Sequence, residues 1–168
     1  YSSEHSKEMI GFNGFFHPLD GIGNWYKLYG KRGFYQYQCL IPETSAVASV
    51  LQELLDMIQD HGLFSFLAVL KYHRDGVGLL TFSKQGYSLA LDFPNTPQVR
   101  ALLPKLDAFV AERGGRVYLA KDAQLSSAMF IRMYGEQGAQ WKELIREADP
   151  ERKLVSLMSD RLQWKPAA

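Results

Sequence analysis

A chain of 168 residues suits one domain with a sizeable core, or one domain with an added element. Its 46% hydrophobic and 13% aromatic content excludes a disordered chain, and 19 Lys+Arg against 18 Asp+Glu, a formal net charge of +1, offers no basic excess for a nucleic-acid backbone. No apolar run reaches the ~20 residues that span a bilayer, and the single Cys39 excludes an internal disulfide framework, argues against a zinc site built on cysteines and fits a reducing, cytoplasmic setting.

The chain opens Tyr1-Ser2-Ser3-Glu4-His5, with neither an initiator Met nor a signal-peptide pattern. The expectation is a segment interior to a longer polypeptide. Residues 1–33 are rich in aromatics and glycine, with no periodicity held for long, and read as an extended lead-in. Gly11-x-x-Gly14 and Gly21-x-Gly23 lack a preceding strand, so neither reads as a phosphate loop.

Regular patterning begins at Phe34. Tyr35 to Ile41 alternates and is rich in strand formers, and Pro42 ends it. Thr44 or Ser45 would cap a helix running to about His61, with Val47, Val50, Leu51, Leu54, Leu55 and Ile58 at helical spacing and Gly62 as terminator. Phe66 to His73 reads as a second strand, followed by an Asp75-Gly76 turn. Leu79 to Phe82 and Tyr87 to Phe93 read as a hairpin, or as one interrupted strand. Pro94 and Pro97 bracket the start of a helix to about Arg113, and Gly114-Gly115 stops it. Arg116 to Ala120 is a short strand. Helices follow over Ser126–Tyr134 and Gln140–Ala148, then a frayed stretch after Asp149-Pro150.

The order β-α-β-β-α-β is a split βαβ, ferredoxin-like pattern of the α+β class. It predicts an antiparallel sheet with both helices on one face, and a helical tail beyond. Alternation assigns Tyr35, Tyr37 and Cys39, the set Phe66, Ala68, Leu70 and Tyr72, and the set Tyr87, Leu89, Leu91 and Phe93 to the helix-covered face. Gln36, Gln38, Val69, Lys71, His73, Ser88 and Ala90 share the other. A polar outer face is normal for an antiparallel sheet. Two amides, an ammonium and an imidazole together also suit a polyhydroxylated ligand, since they satisfy many hydroxyls. Lys121, just past the last strand, is either one half of a surface Lys-Asp pair or a site residue. The four histidines show no metal spacing, no metal site is expected, and Cys39 reads as a buried thiol.

Three stretches carry a resemblance. They are Arg32-Gly33-Phe34-Tyr35-Gln36-Tyr37-Gln38-Cys39-Leu40-Ile41-Pro42, Gly114-Gly115-Arg116-Val117-Tyr118-Leu119-Ala120-Lys121-Asp122, and Asp149-Pro150-Glu151-Arg152 with Ser159-Asp160-Arg161-Leu162. Together they resemble the C-terminal region of FAD-dependent oxidoreductases of the vanillyl-alcohol-oxidase superfamily, in its ribose-oxidising branch and beside the aldonolactone and alditol oxidases. The resemblance runs from about Phe15 to Leu162. It implies a substrate cap over residues 34–120 and a C-terminal segment, 121–168, that rejoins an FAD-binding domain elsewhere in the same polypeptide. It implies FAD as cofactor and oxidation of a sugar, aldonolactone or polyol alcohol. Lys121 is then the active-site lysine. Gln36, Gln38 and Lys71 hold substrate with Val69, His73, Ser88 and Ala90 beside them, and Tyr118 with Lys121 meets the cofactor. Ser88 and Ala90 stand where that branch has Asn and Cys, and His73 where it has an aromatic, which argues against the branch's own substrate. Other classes remain in view: a free-standing ligand-binding or regulatory module, or a self-associating domain using Trp25, Tyr26 and Tyr29.

Overall fold

The structure, a computed structural model, describes residues 11–12 and 23–164, without the side chains of Trp25, Tyr26 and Leu28. Gly14 and Gly21, and most of the aromatic lead-in, lie outside the described residues. The chain divides into two compact units, residues 1–33 and 34–168.

In the first unit the lead-in is not extended throughout. Trp25–Arg32 forms 3₁₀ turns, interrupted at Gly30 by a φ of 66°. Such short turns repeat every three residues and leave no 3.6-residue pattern to read. Of the trio expected to self-associate, Tyr29 is buried, while the side chains of Trp25 and Tyr26 lie outside the described residues.

The second unit carries β1 (Phe34–Pro42), α1 (Val47–Asp60), β2 (Ala68–His73), β3 (Gly86–Pro94), α2 (Pro97–Glu112), β4 (Arg116–Val117), α3 (Ser127–Ala148) and α4 (Leu157–Arg161). The predicted β-α-β-β-α-β order is therefore present, as an α+β fold. The sheet runs β2-β3-β1-β4, and every neighbouring pair is antiparallel. Tyr37 stands opposite Leu91 and Cys39 opposite Leu89, so the bulky sets of β1 and β3 fall on one face, as alternation required. They form a single core with Leu54 and Ile58 of α1 and with Leu102, Leu106, Phe109 and Val110 of α2.

Glycine ends both helices. Gly62 and Gly114 take positive φ values of 65° and 68°. Leu63 N–H donates back to Ile58 and Gly115 N–H to Val110, the six-to-one closure of an αL-capped terminus. Thr96 caps α2 by accepting from the Val99 N–H, with Pro97 at the first helical position.

Several expectations are corrected. The N-cap of α1 is Ala46, not Thr44 or Ser45, because Thr44 Oγ1 instead accepts from the Ala46 N–H, outside the helix. β2 begins at Ala68, since Ser65 and its neighbours form a turn in which Ser65 Oγ donates to Leu67 O and accepts from the Asp92 N–H. On β2 the set Leu70 and Tyr72 has the right parity for the core but remains half exposed, because the strand lies at the sheet's edge. Leu79–Phe82 is not a strand. The residues between β2 and β3 form a folded loop, closed by Gly76 N–H to Ser83 O and by Gln85 N–H to the Asp75 carboxylate. β4 stops at Val117, where the chain turns through Lys121 N–H to Tyr118 O. The tail carries two helical stretches as expected, parted within α3 at Gly135 with a φ of 53°, but the second begins directly after this break rather than at Gln140. Beyond α3 the chain is ordered rather than frayed: Asp149 accepts from the Lys153 and Leu154 N–H groups, and Ser156 with Ser159 forms a capping box for α4.

This tail packs on the same core. Phe130, Met133, Tyr134 and Leu162 join the cluster, and Tyr134 Oη donates to Val117 O at 2.8 Å. Among the described residues no helix is long and apolar enough to cross a membrane.

Candidate functional site

The sheet face away from the helices is built in rows. Ala90 of β3 is flanked by Gln38 of β1 and Val69 of β2, and Ser88 by Leu40 and Lys71. His73 pairs with Gly86, and Gln36 with Asp92. Sequence alternation thus brings Gln36, Gln38, Val69, Lys71, His73, Ser88 and Ala90 to one surface.

They are not equally open. Ser88 is fully buried and is the hub of a polar row. It meets Gln38 Nε2 at 3.4 Å and His73 Nε2 at 2.8 Å, while His73 Nδ1 lies 3.3 Å from Ser83 Oγ. The β2–β3 loop covers this end. Phe82 packs edge-on against His73 at 5.7 Å and lies 4.7 Å from the Tyr118 ring. Ser88 therefore orients Gln38 and His73 and is shielded from solvent. Lys71 is exposed and Gln36 and Gln38 are half-buried, so these are the side chains free to meet a ligand.

Arg116 is a further buried cation, 2% exposed, opposite Leu40. It donates to Thr81 O at 2.8 Å, which pins the loop over the row, and lies 4.9 Å over the Tyr134 ring. Neither Phe82 nor Arg116 was expected here. Residues 79–82 carry a strand-like pattern, and nothing local marks a loop that folds back over a sheet.

Tyr118 and Lys121 follow β4. The Tyr118 N–H donates to Gln38 O at 2.8 Å, which ties the strand end to the polar row. Lys121 is exposed and forms no ion pair among the described residues. The simple Lys121-Asp122 pair does not form. Asp122 Oδ1 instead accepts from the N–H groups of Gln124 and Leu125, and Oδ2 binds Arg161 of α4 at 2.8 Å. The loop that presents Lys121 is thereby fixed from behind.

Two further groups lie beneath this loop. Burial, with weaker opposing effects from Tyr37 and Arg161 and a push from Asp122, raises the Asp107 carboxyl to about 7. Burial first, then Asp107, pushes the Cys39 thiol up to about 12, so it is an inert core thiol. No cluster of three or more metal-ligating side chains occurs among the described residues.

No family model matches the chain. It is 36% identical over 163 residues, 96% of its length, to decaprenylphosphoryl-β-D-ribose oxidase of Mycolicibacterium smegmatis. It is 32% identical over 134 residues, 77% of its length, to an uncharacterised protein encoded in the mprA 5′ region of Streptomyces coelicolor. In each case it spans only 35% of the relative. The chain is thus similar, over nearly its whole length, to the C-terminal part of an FAD-dependent oxidase.

Proposed function

We propose that the chain is the substrate-binding part of an FAD-dependent oxidoreductase that oxidises an alcohol group of a sugar, aldonolactone or polyol. The observation that carries this reading is the sheet face away from the helices, where Gln36, Gln38 and Lys71 share one surface beside a fixed loop bearing an unpaired Lys121. The similarity to an FAD-dependent oxidase supports it.

The residues suit a flavin at one edge. Lys121 brings an unpaired cation, and Tyr118 brings a ring already packed at a tilt against Phe82. FAD, when bound, accepts the hydride from the carbinol carbon. Most of its binding site belongs to a separate domain of the same polypeptide. Lys121 donates a hydrogen bond to the reacting oxygen and stabilises the negative charge that develops there as the hydroxyl proton passes to solvent water. Gln36, Gln38 and Lys71 orient the remaining hydroxyls, with Val69 and Ala90 forming the floor between the polar rows. Ser88 and His73 hold the Gln38 amide in place.

The test is anaerobic flavin bleaching in the full-length protein. A sugar or polyol should bleach the wild type, and Lys121→Ala should slow the bleaching by about 10²–10³-fold. A full-length protein that binds no flavin, or a variant as fast as wild type, would overturn the reading.

A further inference from the structure

Behind Lys121 lies a small, partly open cavity, bordered by Gln36, Tyr37, Asp107, Lys121, Asp122 and Gln124 among others. It leaves about 10 Å³ for the centre of a water-sized sphere, which is the room that one water needs. Two of its lining residues carry buried polar atoms without a partner. Tyr37 is 5% exposed, and its hydroxyl is buried with no hydrogen-bond partner. The Gln124 Nε2 is in the same condition. Asp107, on α2, is 5% exposed, and the Tyr37 hydroxyl lies close enough to its carboxyl to favour the charged form, though short of full hydrogen-bond geometry. Folded proteins leave few such atoms unpaired, because each carries the desolvation penalty of a lost hydrogen bond.

The chemistry of the three groups is complementary to one molecule. A water accepts two hydrogen bonds and donates two. Tyr37 Oη–H and Gln124 Nε2–H are donors, and the Asp107 carboxyl is an acceptor. Gln124 belongs to the loop that presents Lys121, whereas Tyr37 and Asp107 belong to the sheet and to α2. We propose that the cavity is a water site that joins Asp107 and Tyr37 to Gln124, and that Asp107 acts through it as a positioning residue for Lys121. The positioning role rests on Lys121 being the site lysine; the water site does not.

The charged groups around Asp107 fit this arrangement. Tyr37 faces it from β1, Asp122 from the loop after β4, and Arg161 from α4, while Lys121 borders the same cavity. With Asp122 engaged by Arg161, Asp107 has no cation of its own. Burial then holds its carboxyl near 7, where it exchanges between acceptor and donor toward the water.

Two measurements decide the proposal. A high-resolution crystal structure should show a water within hydrogen-bonding distance of Tyr37 Oη, the Asp107 carboxyl and Gln124 Nε2; a dry cavity overturns the water site. In NMR titration, the Asp107 carboxyl carbon should move with a midpoint near 7, and Tyr37→Phe should shift that midpoint upward. The Lys121 ε-carbon should show a step at the same midpoint, absent in Asp107→Asn, which keeps size and shape. A Lys121 signal that stays flat through the Asp107 transition overturns the positioning role. If Lys121→Ala leaves flavin bleaching at the wild-type rate, it is the reading of Lys121 as site lysine that fails, and the crystal structure and the Asp107 titration still decide the water site.

Discussion

Arg161 reaches back 39 residues to the carboxylate of Asp122 and binds it at 2.8 Å. The Asp122 side chain is 4% exposed, and its other oxygen already holds the turn that follows Lys121. A short C-terminal helix is thus a structural member of the candidate site. Asp122→Ala strips Arg161 of its partner and leaves two backbone donors unmet. Breaking a buried pair costs about 3–5 kcal/mol, and the partly open Arg161 places the expected loss at the lower end. Urea unfolding checks it. Loss below ~0.5 kcal/mol would show that the pair holds nothing.

Ser88→Ala removes the hub of the Gln38-Ser88-His73 row without changing the strand. The expected destabilisation is about 1–2 kcal/mol, the penalty for unpaired polar groups in a covered site. The imidazole nitrogen signals of His73 should also shift, because Ser88 Oγ is its nearer partner, at 2.8 Å against 3.3 Å for Ser83. Unchanged nitrogen signals would mean that Ser88 does not fix the ring.

Asp107 makes stability depend on pH in a stated direction. Its carboxyl rises from the ordinary 3.8 to about 7 on folding, chiefly by burial. Between those values the folded chain binds more protons than the unfolded chain, so stability falls as pH rises. The contribution is complete below pH ~4 and lost by pH ~7. Asp107→Asn removes this slope. The stability gap between wild type and variant should move against the wild type across that window, by up to about 4 kcal/mol at ~1.4 kcal/mol per pH unit. Parallel curves from pH 4 to 7 would contradict the assignment.

Gly86 starts β3 with a φ of 157°, opposite Pro42, and an added Cβ would meet the Ile41 carbonyl oxygen. Both the backbone and the space require glycine. Gly86→Ala should destabilise by about 2–4 kcal/mol and displace His73, its partner on β2. Thermal unfolding gives the first quantity, and His73 chemical shifts the second. Near-neutral behaviour would show that the strand start relaxes freely.

Much of this architecture is local and therefore legible. Alternation in Tyr35 to Ile41 and in Tyr87 to Phe93 assigns each side chain to a face, because the period of a strand is two whatever its neighbours are. The stripes of Leu54 and Ile58, and of Leu102 and Leu106, declare helices that need a sheet to cover. The Gln36, Gln38 and Lys71 surface follows from the same rule. These properties depend on residues within a few positions of one another, and the sequence alone determines them.

Other features depend on which strand lies beside which. Leu70 and Tyr72 have core parity but lie on an edge strand, so the sheet order leaves them half exposed. Leu79–Phe82 reads as a strand, yet Arg116, 35 residues on, captures Thr81 and folds the segment over Ser88. Asp107 sits on a helix stripe like any polar neighbour, and only the approach of Tyr37 and the Asp122 loop removes it from water. Burial, long-range hydrogen bonds and the charge state of Asp107 are sums over groups distant in the chain. Only the tertiary structure brings those groups together, so only it decides them.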